Sequence, residues 1–398
     1  MLSNLYSYAT KTFICVLIVA SSCLSLTANE YDTDTMFDVE ELRVEKLAEV
    51  EQLDPAVSVA VTELQKLLGS VKRYSKTSIM AAVQQSAHTL WSESVSKMSA
   101  DPLSDDRWLY WQRLILRRTL KQSVVFQSLT SEQQQAILWE LELVSRGRDD
   151  VNFDDNADIK ILVTGFDPFF LDRNIRQSNP SGAAALTFDD QLIEHKGIKA
   201  SIQGFVVPVR YADFDRGMIE TLLSPYYTEV DMIATISMGR SDFDLERYPG
   251  LRRSAAAPDN LNVYTGANKN KPLIPDLYGN PWAGPEFVEF SLPVMAMLKA
   301  KGAYAVNDNH KVTTLNGDFE PKSLEELATE TAVSGAGGGY LSNEISYRSI
   351  RLRNHLNPQL PVGHIHTPRI EAFAPDDTRA IIAQIKSMLK ISLSELKK

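Results

Sequence analysis

Three stretches of the chain carry residue types suited to acyl-transfer chemistry. Met238-Gly239-Arg240-Ser241-Asp242-Phe243-Asp244-Leu245-Glu246-Arg247 leaves an apolar strand and puts acids and arginines on a loop. Ser334-Gly335-Ala336-Gly337-Gly338-Gly339-Tyr340-Leu341-Ser342-Asn343 places a serine after a glycine run, near a helix start. Gly363-His364-Ile365-His366-Thr367-Pro368 ends a strand with two histidines on one face, because strand side chains alternate with period two. A serine, a histidine and a glutamate from separate elements can form a nucleophile, its base and the group that orients the base. His364 and His366 are also an open pair of metal ligands, but no third ligand follows by spacing, so no metal is expected. Without a Gly-x-Gly-x-x-Gly after a strand, and without a P-loop, no cofactor is expected either.

The elements that must position these residues begin with Ile161 to Phe169. Ile161 to Thr164 are β-branched or aliphatic, as in a strand buried on both faces. Gly165 is expected to stop that strand and Pro168 to turn the chain, leaving Phe166 and Phe169 at its carboxyl end. There they either line a ligand crevice or cap a core. Further strands are expected at Ile198 to Val207, Asp231 to Ser237 and Pro361 to His366. Helices are expected around Phe214 to Leu222, over Phe287 to Leu298 and over Thr378 to Leu396. Strands alternating with helices predict a largely parallel open sheet covered on both faces, a three-layer α/β/α domain over residues 158–398. Residues 29–150 read as an all-helical region, in which Ser104-Asp105-Asp106 caps one helix and Thr130 with Gln133 caps another. Residues 151–157 are a short acidic linker.

The net charge of -10 over 398 residues argues against a nucleic-acid partner. Lys11, an apolar run from Phe13 to Ala20 and the small residues up to Ala28 predict a signal peptide over residues 1–28. The chain is thus expected to be exported, periplasmic or secreted, the alternative being a membrane anchor through an uncleaved or lipidated leader. Both cysteines, Cys15 and Cys23, lie in that leader, so a chain starting near Asn29 has no thiol.

From about Asp158 onward the sequence resembles the pyroglutamyl peptidase I family. Ile161 to Phe169 is similar to the family's Gly-Phe-Glu/Asp-Pro-Phe motif, and Asn179-Pro180-Ser181 to its Asn-Pro-Ser. Gly239-Arg240 with Glu246-Arg247, then Pro258-Asp259-Asn260, match at the family's spacing, and Gly363 to Pro368 resembles the stretch around its catalytic histidine. The resemblance covers about 240 residues and leaves the helical region without a counterpart. It implies a compact α/β/α fold and removal of an N-terminal pyroglutamate, with His366 as base and Glu246 as its orienter. It also implies that Phe166, Phe169, Tyr340 and Leu341 bind a small lactam-bearing or peptide substrate.

The departures matter as much. The family's nucleophilic cysteine falls on Ser342, and an arginine that helps its oxyanion falls on Ala256, leaving Arg252 or Arg253 as candidates for that role. The polar stretch between Lys301 and Ser334 is extra sequence that could cover the site. Two functions follow. One is a serine variant of the peptidase, using Ser342, His366 and Glu246 and free of thiol chemistry outside the cytoplasm. The other is a peptide-binding or structural module that has lost catalysis. Homo-oligomerisation stays open.

Overall fold

The computed structural model describes residues 36–70, 76–100 and 105–396. The expected leader, with Cys15 and Cys23, lies outside the described residues, as does Ser104. Among the described residues, no helix is long and apolar enough to cross a membrane.

Residues 37–398 form one compact unit. Among the described residues, its first part holds six α-helices: α1 (Val39–Leu42), α2 (Val59–Ser70), α3 (Lys76–Ala100), α4 (Arg107–Gln122), α5 (Val124–Gln127) and α6 (Ser131–Val144). The capping box at Thr130 forms as its residues dictate, with Gln133 N donating to Thr130 Oγ1 and Thr130 N to Gln133 Oε1. A second box, between Asp38 and Glu41, starts α1. Asp106 precedes α4 but makes no cap bond; its carboxylate accepts Asn179 N instead.

The second part carries twelve strands. These are β1 (Ile159–Phe166), β2 (Gln191–His195), β3 (Ile198–Val207), β4 (Met232–Met238), β5 (Phe243–Glu246) and the hairpin β6 (Asp276–Leu277) and β7 (Asn280–Pro281). Then come β8 (Val306–Asn309), β9 (Val312–Thr314), β10 (Gly317–Phe319), β11 (Ala332–Ser334) and β12 (Val362–Thr367). Seven of them form the main sheet in the order β2-β3-β1-β4-β12-β5-β8. Its centre, β3-β1-β4-β12, is parallel, whereas β2 runs antiparallel to β3 and β5 antiparallel to β12. The helices are α7 (Pro180–Phe188), α8 (Tyr211–Asp215), α9 (Met218–Leu223), α10 (Val294–Met297), α11 (Leu341–Leu356) and α12 (Pro375–Leu396).

From β1 the chain steps one way to β3, then returns past β1 to β4 and β12. With right-handed crossovers, that reversal puts α7 and α12 on one face and α9 and α11 on the other. The contacts agree: α7 packs on β1, β3 and α12, and α11 on β4, β12 and α9. This is the three-layer α/β/α arrangement, and the strands between its layers are apolar on both faces because both are covered. The reversal point, between β1 and β4, opens a crevice at the strands' carboxyl ends. The six helices of the first part join the same core, α3 lying against α7 and Trp91 and Trp108 packing among sheet residues.

Four local expectations change. Gly165 does not stop β1, which continues through Phe166; a Cβ there would sit 2.0 Å from Ser181 O, so the glycine lets α7 approach the strand. The helix expected around Phe214 to Leu222 is two short ones, split at Gly217, whose φ of 84° is left-handed. The helix expected over Phe287 to Leu298 shrinks to α10. Before Pro293 the backbone bonds to other segments, with Phe290 N donating to Arg247 O and Ser291 N to Val362 O. The extra polar stretch from Lys301 adds β8 to the sheet edge and a separate three-stranded sheet, β10-β9-β11, instead of lining the site cavity.

Candidate active site

Glu246 ends β5 and His366 lies near the end of the neighbouring β12, so two paired strands deliver them to one place. His366 Nδ1 lies 2.5 Å from Glu246 Oε1, with Glu246 fully buried and His366 5% exposed. Burial pushes the Glu246 carboxyl above its usual range, opposed by His366 and Arg240. The second oxygen, Oε2, accepts Asn309 Nδ2 at 2.9 Å, and that amide also donates to Ala336 O. Asn309 sits opposite Glu246 in the β5–β8 pairing. Sequence reasoning missed it because Val306-Asn307-Asp308-Asn309 is too polar to read as a strand.

Ser342 is the second residue of α11, whose first amides lack intrahelical partners. Its Oγ donates to Gly337 O at 3.2 Å, and no hydrogen bond joins it to His366 among the described residues. Asn343 fastens this helix start to the loop after Glu246: Gly250 N donates to Asn343 Oδ1 and Asn343 Nδ2 to Gly250 O. Gly335 is needed there, since a Cβ would lie 2.0 Å from Asn343 Oδ1. His364 is not available as a ligand. Its two nitrogens lie 2.8 Å from the hydroxyls of Thr235 and Ser237, and full burial holds it well below the ordinary imidazole value.

Two adjoining cavities meet at Ser342. The smaller, about 40 Å³, is lined mainly by apolar side chains including Phe166, Phe169, Val209, Tyr340 and Leu341. The larger, about 490 Å³, is lined by Ser342, His366, Phe169, Phe170 and Tyr340, with Arg173, Arg240 and Arg369. Phe166, Phe169, Tyr340, Leu341, Ser342 and His366 are thus gathered at one crevice. Tyr340 is fixed by its hydroxyl on Pro258 O at 2.8 Å and by an edge contact with Tyr211. Arg252 and Arg253 are not among the residues that line either cavity. Arg252 is held by Glu286, and Arg253 by Glu344 and Asp215, so the oxyanion role expected of them does not fit their placement.

The helical part reaches three of the segments around this crevice. Asp167, in the turn after β1, is buried between Arg113 at 2.7 Å and Arg146 at 2.9 Å. Asp106 accepts Asn179 N, at the start of α7. Arg43 donates to Asn260 O at 2.6 Å and to Asp172. Asp167, Asn179 and Asn260 all belong to the motifs singled out from sequence. No spacing rule could pair them with the helices, because the partners are 21 to 217 residues apart.

Two domain models named for the protein PA0049 match the chain. Its C-terminal domain matches residues 160–283 and 299–371, and its N-terminal domain matches residues 22–142. The chain resembles PA0049 in both of its parts. The Pseudomonas aeruginosa protein of that name, itself uncharacterized, is 29% identical over 392 aligned residues, covering 75% of this chain and 70% of its own. Among solved structures, a mutant pyrrolidone carboxyl peptidase from Pyrococcus furiosus is 22% identical, with a TM-score of 0.42, over 60% of this chain and 100% of its own. Pyroglutamyl peptidase I from Bacillus amyloliquefaciens is 18% identical, with a TM-score of 0.41, over 61% and 100%.

Proposed function

We propose that the protein is an exported hydrolase that removes an N-terminal pyroglutamate, or a related small residue, from peptides. The observation that carries this reading is the buried Glu246–His366 pair opening on the cavity that also holds Ser342. A carboxylate locked on Nδ1 leaves Nε2 for a proton in transit, which a core histidine such as His364 does not offer.

In the reaction Ser342 Oγ swings from Gly337 O, gives its proton to His366 Nε2 and attacks the scissile carbonyl. Glu246 holds the resulting imidazolium, and Asn309 holds Glu246. His366 then hands the proton to the leaving amine, and a water repeats the sequence to release the acyl group. The negative charge on the tetrahedral oxygen falls at the start of α11, where free amides and the helix dipole stabilise it in place of an arginine. The small cavity suits the compact acyl residue and the large one the rest of the peptide.

The second reading, a peptide-binding module without turnover, is favoured by one contact: the Ser342 hydroxyl is engaged by Gly337 O and not by His366. Catalytic hydrogen bonds often tighten only with substrate bound, so that contact alone does not decide. Release of the reporter from a pyroglutamyl-coumarin amide by the purified protein, abolished in Ser342→Ala, supports the hydrolase. No release from pyroglutamyl or ordinary aminoacyl reporters supports the module.

A further inference from the structure

Three loops that wall the larger cavity each bring an arginine to it: Arg173 after β1, Arg240 after β4 and Arg369 after β12. Hydrogen bonds pin these loops to one another. Arg369 N donates to Arg240 O at 2.6 Å, Ser178 N to Ala372 O at 3.0 Å, and Ala372 N to Gln177 Oε1 at 3.1 Å. The guanidinium of Arg173 is held over the Phe170 ring at 4.6 Å, which orders it without neutralising it.

The charges are not evenly spent. Arg210, Arg247, Arg252, Arg253 and Arg348 are each engaged by carboxylates, and Arg240 by Asp244 at 3.0 Å and Glu246 at 3.4 Å. Arg173 and Arg369 make no ion pair among the described residues. Asp172, beside Arg173 in sequence, is taken by Arg43. Glu371 is the single carboxylate side chain on the cavity wall, which carries three arginines. In a chain of net charge -10, this is a locally positive cavity.

We infer that Arg173 and Arg369 are specificity-determining residues that select a ligand with a carboxylate just past the scissile bond. Planar guanidinium groups suit that partner, since each offers paired N–H donors to a carboxylate. The carboxylate is either the side chain of an acidic residue following the pyroglutamate or the C-terminus of a dipeptide. The position of the scissile bond rests on the reading proposed above, but the positive cavity does not.

Calorimetric titration of the Ser342→Ala protein tests this without requiring turnover. Pyroglutamyl-glutamyl-alanine amide is expected to bind about tenfold more tightly than its lysyl counterpart, from two partly exposed ion pairs on one side and repulsion on the other. Pyroglutamyl-alanine as free acid against its amide separates a C-terminal from a side-chain carboxylate, and a preference in either arm upholds the inference. Adding Arg173→Gln and Arg369→Gln is expected to erase the preference, and Glu371→Gln to increase it. High salt should narrow the preference. Equal binding within both arms, glutamyl against lysyl and free acid against amide, overturns this inference alone. Failure of every peptide to bind overturns it together with the proposed substrate.

Discussion

Replacing Asp167 by asparagine tests whether the helical part holds the turn that carries Phe166 and Phe169. Asp167, Arg113 and Arg146 have side chains no more than 2% exposed. Around them the buried guanidiniums of Arg113, Arg117, Arg146 and Arg210 face the buried carboxylates of Glu40, Glu41, Glu142 and Asp167. Burial lifts the Glu40 carboxyl above its usual range, and burial with Arg113 pulls Arg146 below its own. Asparagine keeps the shape of aspartate, so no cavity opens; what is lost is one charge, leaving a guanidinium uncompensated in a dry site. That costs about 3–5 kcal/mol, a large part of the roughly 5–15 kcal/mol that holds a typical domain together. The comparison is Arg176→Gln, which breaks a 2.9 Å pair with Glu51 whose side chains are 46% and 71% exposed; it should cost less than about 1 kcal/mol. Urea unfolding of both variants reads the difference. Combining Asp167→Asn with Arg113→Met should restore part of the loss, because it removes the orphaned charge as well. The reasoning is refuted if Asp167→Asn costs no more than Arg176→Gln.

Three further outcomes follow. His364 is buried neutral, so the folded protein takes up its proton less readily than the unfolded chain, and stability falls as pH drops below the ordinary imidazole value of 6.5. Its share approaches about 1.4 kcal/mol per pH unit, and unfolding scans of His364→Gln should show a flatter acid slope than wild type; equal slopes contradict the assignment. Gly239→Ala places a methyl 2.7 Å from His366 Cβ and Cγ, and displacing the imidazole should lower kcat on the order of a hundredfold with the circular dichroism spectrum unchanged. Asn309→Ala frees Oε2 of Glu246; kcat should fall while KM holds, and a proportionate rise in KM would place Asn309 in substrate binding.

What could be read in the sequence was whatever is local. The run Ile161 to Thr164 announces a buried strand because strands inside an α/β sheet are apolar on both faces. The helix start before Ser342 and the alternation that sets His366 beside His364 follow from backbone period alone. What could not be read depends on pairs distant in the chain. Gly165 reads as a strand end, yet its role is the approach of α7 fifteen residues later. Asn309 gains meaning only when β8 pairs with β5. The arginines of α4 gain their partners only in the fold, Arg113 on Asp167 and Arg117 on Glu142. The helical part thus declares its fold early and its contacts late, because those contacts are with loops supplied by the other half of the chain.

The central claim, that Ser342 with His366 and Glu246 cleaves pyroglutamyl bonds, is met most directly by measuring pyroglutamyl-coumarin turnover in wild type and Ser342→Cys, each with and without iodoacetamide. Wild type is expected to turn over and to ignore the reagent, since no cysteine lies between Asn29 and the end of the chain. Ser342→Cys is expected to turn over as well and to be silenced by alkylation, which places the nucleophile at that position. Loss of wild-type turnover with iodoacetamide, or inactivity of both proteins, would contradict it.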